Sequence, residues 1–134
     1  MLALAGVACI ATTNAYKLSS LTMHLHRHLS DRRTGLLLRG ATSDADEMIV
    51  RKAELCVGVI SQARHLVATD AFDSPLGQLL LRAHELLDDI DERVLRLDHH
   101  NDRAVFIQLD VLRQGLAELE ARRAAASRSA VTGD

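Results

Sequence analysis

Apolar residues recur at intervals of three and four along most of this 134-residue chain, a spacing typical of amphipathic α-helices. The clearest stretch runs from Ser74 to Arg123, where two such patterns meet at Asn101–Asp102. Ser74 is placed to cap the first of these helices, and Pro75 falls in its first turn, where a missing N–H does no harm. Because the junction is too short for anything but a tight turn, the pattern predicts an antiparallel helical hairpin.

Two further helical patterns precede this hairpin. The first begins near Ser19 or Ser20, either of which can cap a helix, and it ends at Gly40. The second follows an acidic capping signature that begins at Ser43, and it continues to about Thr69. Four helices with short connections predict an all-α fold, an antiparallel up-and-down four-helix bundle with an N-terminal arm.

The two ends of the chain differ from the middle in composition. Residues 1–13 are apolar and predict an arm that packs on the bundle, while residues 14–123 form the helical bundle domain. Residues 124–134 are small and polar and predict a disordered tail. The apolar start lacks a basic flank and is too short for a signal peptide or a membrane span, so we expect a cytoplasmic protein.

Composition and charge narrow the class of function. Aromatic residues make up only 2% of the chain, which favours helices over sheet. The formal net charge is −2 and the arginines are scattered, whereas a nucleic-acid-binding protein needs a basic patch and a supporting motif. Cys9 and Cys56 are expected to be reduced, since nothing else indicates an oxidising compartment.

Seven histidines raise the question of a metal site. His24 and His28 share a helix face at i,i+4, which leaves weak metal binding open. The Glu-x-x-His pairs of di-iron bundles and the His-Glu-x-x-His motif of zinc hydrolases are both missing from the sequence. The acidic run between Glu85 and Glu92 is interpreted as a solvated helix face. We therefore predict no catalytic residue, no metal and no cofactor, and a protein that is not an enzyme.

Several apolar residues lie off the main stripe of their helix. Val50 and Val57 are one heptad apart on the far side of the second helix, and Ile107 and Val111 form an i,i+4 ridge on the fourth. Single exposed apolar residues are normal, but exposed apolar ridges mark interaction sites. Two interpretations stay open: scattered surface residues, or a groove for a partner helix.

The hairpin resembles that of the FliS family of flagellar secretion chaperones. The segment 86–90 occupies the position of the family's Leu-Tyr-Asp-Tyr motif, with Leu87 and Asp89 where the family has tyrosines. Asn101–Asp102 occupies the family's turn, and the apolar positions of the last helix then follow in register.

The resemblance continues upstream of the hairpin and implies a partner. Residues 14–16 are similar to the family's N-terminal Ala-Tyr, and residues 21–25 to its Leu-x-x-Met-Leu helix start. The resemblance implies a cytoplasmic export chaperone that binds the disordered C-terminal segment of flagellin and prevents premature polymerisation. The partner-binding residues expected from the resemblance and from the ridges together are Tyr16, Leu21, Met23, Leu25, Val50, Val57, Ile107 and Val111. The alternative is a self-associating bundle, an adaptor or structural protein whose ridges close a homodimer.

Overall fold

Four α-helices make up the described part of the chain. The computed structural model describes residues 2–40, 44–97 and 103–132, with side chains from residue 10 to residue 128 within those ranges. The helices are α1 (Leu2–Leu38), α2 (Asp44–Ala68), α3 (Ser74–Leu95) and α4 (Arg103–Thr132). No strand occurs in these ranges, which confirms the predicted all-α class.

The helices pack as a closed ring in which each one contacts two others. α1 lies against α2 and α4, and α3 lies against α2 and α4, whereas the diagonal pairs do not approach each other closely in the described ranges. Because the connections between successive helices are short, neighbouring helices run antiparallel. The predicted four-helix bundle is therefore confirmed.

A cluster of aliphatic side chains fills the space between the four helices. The members on α3 recur at the predicted 3–4 spacing and are Leu76, Leu80, Ala83, Leu86, Leu87, Ile90 and Val94. The other helices contribute similar rows, and the two phenylalanines, Phe72 and Phe106, pack at the margin of the cluster. Full burial of one large aliphatic side chain stabilises a fold by about 1.5–3 kcal/mol, so this cluster is the main source of stability.

The N-terminal residues belong to the bundle. The sequence predicts an arm over residues 1–13 that packs on the bundle, and residues 2–13 are the first turns of α1, which begins at Leu2. Ala11 is fully buried in the core, so α1 packs against the other helices at this position. Alanine has the highest helix propensity of all residues and its small side chain permits close packing, which an apolar run alone does not reveal.

The serines that indicated a helix start lie inside α1. Serine is common at helix N-termini, but its hydroxyl can also be satisfied within a helix or by a neighbouring one. Ser19 is buried, and its Oγ accepts a hydrogen bond from Arg64 Nη1 of α2 at 3.4 Å. The predicted end of the helix is correct, since Gly40 follows the last turn with a φ of +69°, a left-handed conformation that favours glycine.

α4 also extends beyond its predicted end. It continues to Thr132, so the prediction of a disordered tail over residues 124–134 is wrong for residues 124–132, and the last two residues lie outside the described ranges. The segment is small and polar, but its many alanines favour helix.

The second helix agrees with the sequence pattern, whereas the third starts one residue after its actual cap, so the predicted cap at Ser74 is wrong. Acidic side chains fill the first turn of α2, where they interact favourably with the helix dipole. α3 begins at Ser74 with Pro75 in its first turn, but its N-cap is Asp73, which makes no side-chain capping hydrogen bond. The expected caps at Ser43 and at Asn101–Asp102 lie outside the described residues.

Gly115 allows α1 and α4 to approach closely. A Cβ at this position would lie 2.6 Å from Cδ2 and 3.3 Å from Cγ of Leu18. Leu18 is itself buried in the core, so an added Cβ would force its side chain to shift. Gly58 of α2 differs from Gly115, because a Cβ there would meet nothing within 4 Å.

We expect Gly115→Ala to lower the free energy of unfolding by about 1 kcal/mol. Overpacking a core costs about 1–3 kcal/mol, and this cost exceeds the gain of about 1 kcal/mol that alanine brings to a helix interior. The matched control Gly58→Ala should raise the free energy of unfolding by about 0.5–1 kcal/mol. Urea denaturation followed by circular dichroism measures both free energies of unfolding. Equal stabilisation by the two substitutions would show that the close approach to Leu18 does not destabilise the alanine variant at position 115.

Candidate interaction surfaces

Acidic residues connect α3 to both of its neighbours. Asp89 Oδ2 lies 3.2 Å from Lys52 Nζ of α2, and Arg113 Nη2 of α4 lies 2.8 Å from Asp88 Oδ1 and 2.9 Å from Asp91 Oδ2. Four of these five side chains are only partly exposed, and Asp88 is the one that faces solvent. The interpretation of this run as a solvated face is therefore confirmed for Glu85, Asp88 and Glu92, whose side chains are mostly exposed. It is wrong for Asp89 and Asp91, which lie at the seams between helices.

The pKa of the Asp89 carboxyl lies below its ordinary value. Partial burial by itself would raise this pKa, but hydrogen bonds from Lys52 and Arg93, together with the positive charges of these two side chains, outweigh that effect. Arg93 is one helical turn away and its Nε lies 3.0 Å from Asp89 Oδ1, the i,i+4 pair that the spacing predicts. The Arg96–Glu92 pair follows on the same helix.

Histidines and cysteines contribute no cluster of metal ligands in the described part of the chain. There, no three His, Cys, Asp or Glu side chains are grouped so that they could hold a metal ion. His24 is exposed and His28 is half-buried. Cys56 is free and buried in the core, where desolvation raises the pKa of its thiol to about 12 and keeps it protonated. The side chain of Cys9 lies outside the described residues.

The four candidates on α1 divide between surface and core. Tyr16 and Met23, one heptad apart, are exposed on the outer side of the helix. Leu21 is half-buried and packs against the core cluster. Leu25 is only 1% exposed, so the prediction that it contacts a partner is wrong, because its side chain is already used to build the core.

Of the two candidates on α2, one is also part of the core. Val50 is 5% exposed and lies, with Leu29 of α1 and Val94 of α3, around a cavity of about 10 Å³. Its predicted position on the outer side of the helix is therefore wrong. In a closed ring α2 buries one flank against α1 and another against α3, so its buried arc is wider than one stripe. Val57 is half-buried at the edge of this arc.

The ridge on α4 is exposed, as its spacing predicts. Ile107 and Val111 are 63% and 42% exposed, respectively, and lie one helical turn apart. Val111 also lines a cleft of about 200 Å³ between α1 and α4, together with Leu21. The structure thus brings together two candidates that were inferred separately, Leu21 from the family resemblance and Val111 from the spacing. We call Leu21 of α1, together with Ile107 and Val111 of α4, the α4 ridge. Tyr16, by contrast, contacts Arg64 of α2, with the guanidinium 5.0 Å from the ring centroid.

A second cleft was missed by the sequence pattern. It has a volume of about 1000 Å³ and is lined mainly by α2 and α3, with Tyr16 reaching it from α1. Arg64 and Arg82 are its cationic lining residues, and the only sequence signal for it is that Tyr16 is the single tyrosine of the chain. The sequence does not show that Arg64 and Arg82, which belong to different helices, line the same cleft. This cleft was therefore found only in the tertiary structure.

Comparison with known proteins gives no relative: no protein-family model, no curated protein and no solved structure matches this chain. Among the described helices, none has an apolar stretch long enough to cross a membrane.

We expect Asp89→Asn to lower the free energy of unfolding by about 0.5–1 kcal/mol at pH 7, the magnitude usual for partly exposed ion pairs. A carboxylate whose pKa is depressed by folding stabilises the folded state above its unfolded-state pKa, and this contribution is lost as the pH falls through the folded-state pKa. The difference between the wild-type protein and the variant should therefore shrink in acid.

Urea denaturation at pH 7 and at pH 3 or below measures this difference. The control is Asp31→Asn, since Asp31 is exposed on α1. A difference for Asp89→Asn that is independent of pH would show that the ion pairs to Lys52 and Arg93 do not cause the effect.

Proposed function

We propose that this bundle is a cytoplasmic export chaperone of the flagellin-binding type. It would hold the disordered C-terminal segment of flagellin against the α4 ridge and so prevent premature polymerisation. The observation that carries the proposal is the exposure of Ile107 and Val111 beside a cleft that also contains Leu21. The resemblance of the hairpin to the FliS family supports the identity of the partner.

The shape and chemistry of the α4 ridge suit an amphipathic helix. Two apolar side chains one turn apart, next to a cleft between two helices, provide the type of surface on which the apolar face of a partner helix packs. Lys17, Gln114 and Glu118 also line the cleft and supply a polar rim. A rim of this kind lets the partner's polar face remain hydrated while its apolar side chains leave water.

A disordered partner explains why the ridge can be small. A segment that folds on binding loses conformational entropy at that moment, so its net affinity is modest for the area that it covers. Such a segment can also cover more than one patch, and the exposed Met23 on α1 offers it a further apolar contact. Several weak contacts would then hold the partner reversibly, as export requires.

Self-association is the competing function for the same ridge. A homodimer would bury Ile107 and Val111 against the equivalent residues of a second copy. Sedimentation velocity at several protein concentrations separates the two functions, because a chaperone of this type is expected to be a monomer or a weak dimer when free. A tight dimer that the substitutions below convert to a monomer would support self-association and contradict the proposal.

We expect the double substitution Ile107→Ser and Val111→Ser to weaken binding to a peptide of the flagellin C-terminal segment at least tenfold. Both side chains are exposed, so the fold should tolerate the change, and each would lose apolar contact area with the partner. Isothermal titration calorimetry measures the affinity. The control is Leu95→Ser, which removes an equally exposed leucine from α3 and should leave the affinity unchanged. If the wild-type protein fails to bind at about 10–100 μM, which corresponds to a binding free energy of only about −5 to −7 kcal/mol, the proposal is wrong.

A further inference from the structure

The cleft beside Tyr16 has the dimensions of a small-molecule site. Its volume of about 1000 Å³ lies at the upper end of the usual range for ligand pockets, about 300–1000 Å³. Its walls come from the last turns of α2 and the first turns of α3. No lining residue is shared between this cleft and the cleft beside the α4 ridge, so the two are separate sites among the described residues.

The charged residues that line this cleft are cationic. Arg64 and Arg82 both line it, and among the described lining residues there is no aspartate or glutamate. Arg64 contacts only neutral groups in the described structure, the Ser19 hydroxyl and the ring of Tyr16. Its positive charge is therefore held in place without being neutralised. Arg82 lies 4.0 Å from Glu85, but both side chains are more than half exposed, so this pair is weak.

The rest of the lining combines the polar residues Ser61, Gln62, His65 and Gln78 with several apolar groups. Leu66 of α2 and Leu79 of α3 line the cleft and are half-buried against the core, and the exposed ring of Pro75 lies nearby in the same lining. The Tyr16 ring adds an aromatic face that Arg64 already covers in part. A ligand that matches both features needs an anionic group and an apolar body.

We propose that this cleft binds a small organic anion with an apolar body, of the type of a medium-chain carboxylate. The carboxylate would accept hydrogen bonds from the guanidinium groups of Arg64 and Arg82, since a planar guanidinium can donate two parallel hydrogen bonds to a carboxylate. The hydrocarbon chain would lie against Leu66, Leu79 and the Tyr16 ring. This site is separate from the α4 ridge and does not depend on flagellin binding.

Tyr16 is an intrinsic fluorescent probe of this site. Tyr16 is the single tyrosine and the chain has no tryptophan, so tyrosine fluorescence reports on this cleft alone. We expect octanoate to change the fluorescence along a saturable curve, and the apparent Kd to rise with ionic strength because the contact involves charges. Octanol supplies only the apolar body and inorganic phosphate supplies only the anion, so each should bind at least tenfold more weakly than octanoate. Equal binding of either compound would overturn the proposal.

Substitutions locate the binding site. Arg64→Gln and Arg82→Gln should each weaken octanoate binding at least tenfold, whereas Arg27→Gln, at an exposed arginine on α1, should leave it unchanged. Because Arg64→Gln also alters the surroundings of Tyr16, the affinities of the variants are best measured from amide chemical shifts of ¹⁵N-labelled protein. The shifts should be largest at the end of α2 and the start of α3. Largest shifts at α4, or equal losses in all three variants, would contradict the assignment.

The α4 ridge provides the last control. The double substitution Ile107→Ser and Val111→Ser should leave octanoate binding unchanged, because those residues lie outside this cleft. Loss of octanoate binding in that variant would show that the two surfaces are coupled, and it would overturn the proposal of a separate site.

Discussion

Burial of aliphatic side chains inside a ring of four helices is the constraint on which the rest of this structure depends. Aromatic side chains are almost absent from the chain, so the core is filled with leucine, isoleucine, valine and alanine. Small aliphatic groups fill space well only when the helices lie close together. The contact between Gly115 of α4 and Leu18 of α1 shows how close they lie, since a single added methyl group there would displace the leucine side chain.

The ring geometry also decides where the charges lie. Each helix buries two flanks against its neighbours, and charged side chains occupy the borders between the buried arc and the solvent. Lys52, Asp89, Asp91 and Arg113 lie at such borders and link α2 to α3 and α3 to α4. Arg123 is a further example, because its guanidinium covers Gly77 of α3 and pairs with Glu120 of its own helix. These pairs add little stability individually. The Lys52–Asp89 and Arg113–Asp91 pairs join neighbouring helices, whereas Arg123–Glu120 lies within one helix.

What remains outside the ring is available for function. The α4 ridge is apolar and suits a partner helix, while the cleft beside Tyr16 combines arginines with leucines and suits a small anion. The first surface lies on α4 and α1, and the second lies on α2 and α3 with Tyr16 of α1 at its edge. The bundle therefore offers separate surfaces to the proposed protein partner and to the proposed small molecule.

Sequence periodicity by itself determined the helical class, the order of the four helices and most of the core. Apolar residues at 3–4 spacing form one face of a helix, and this face is most stable when it is buried. It also identified the exposed ridge of Ile107 and Val111. It was misleading at the chain ends and at Val50 and Leu25, where the burial of a residue depends on how many neighbours its helix has. Only the tertiary structure decided the burial of those residues and the ion pairs that join α3 to its neighbours. It also decided that Tyr16, Arg64 and Arg82 line the same cleft. Periodicity describes one helix at a time, whereas these features arise where separate helices come together.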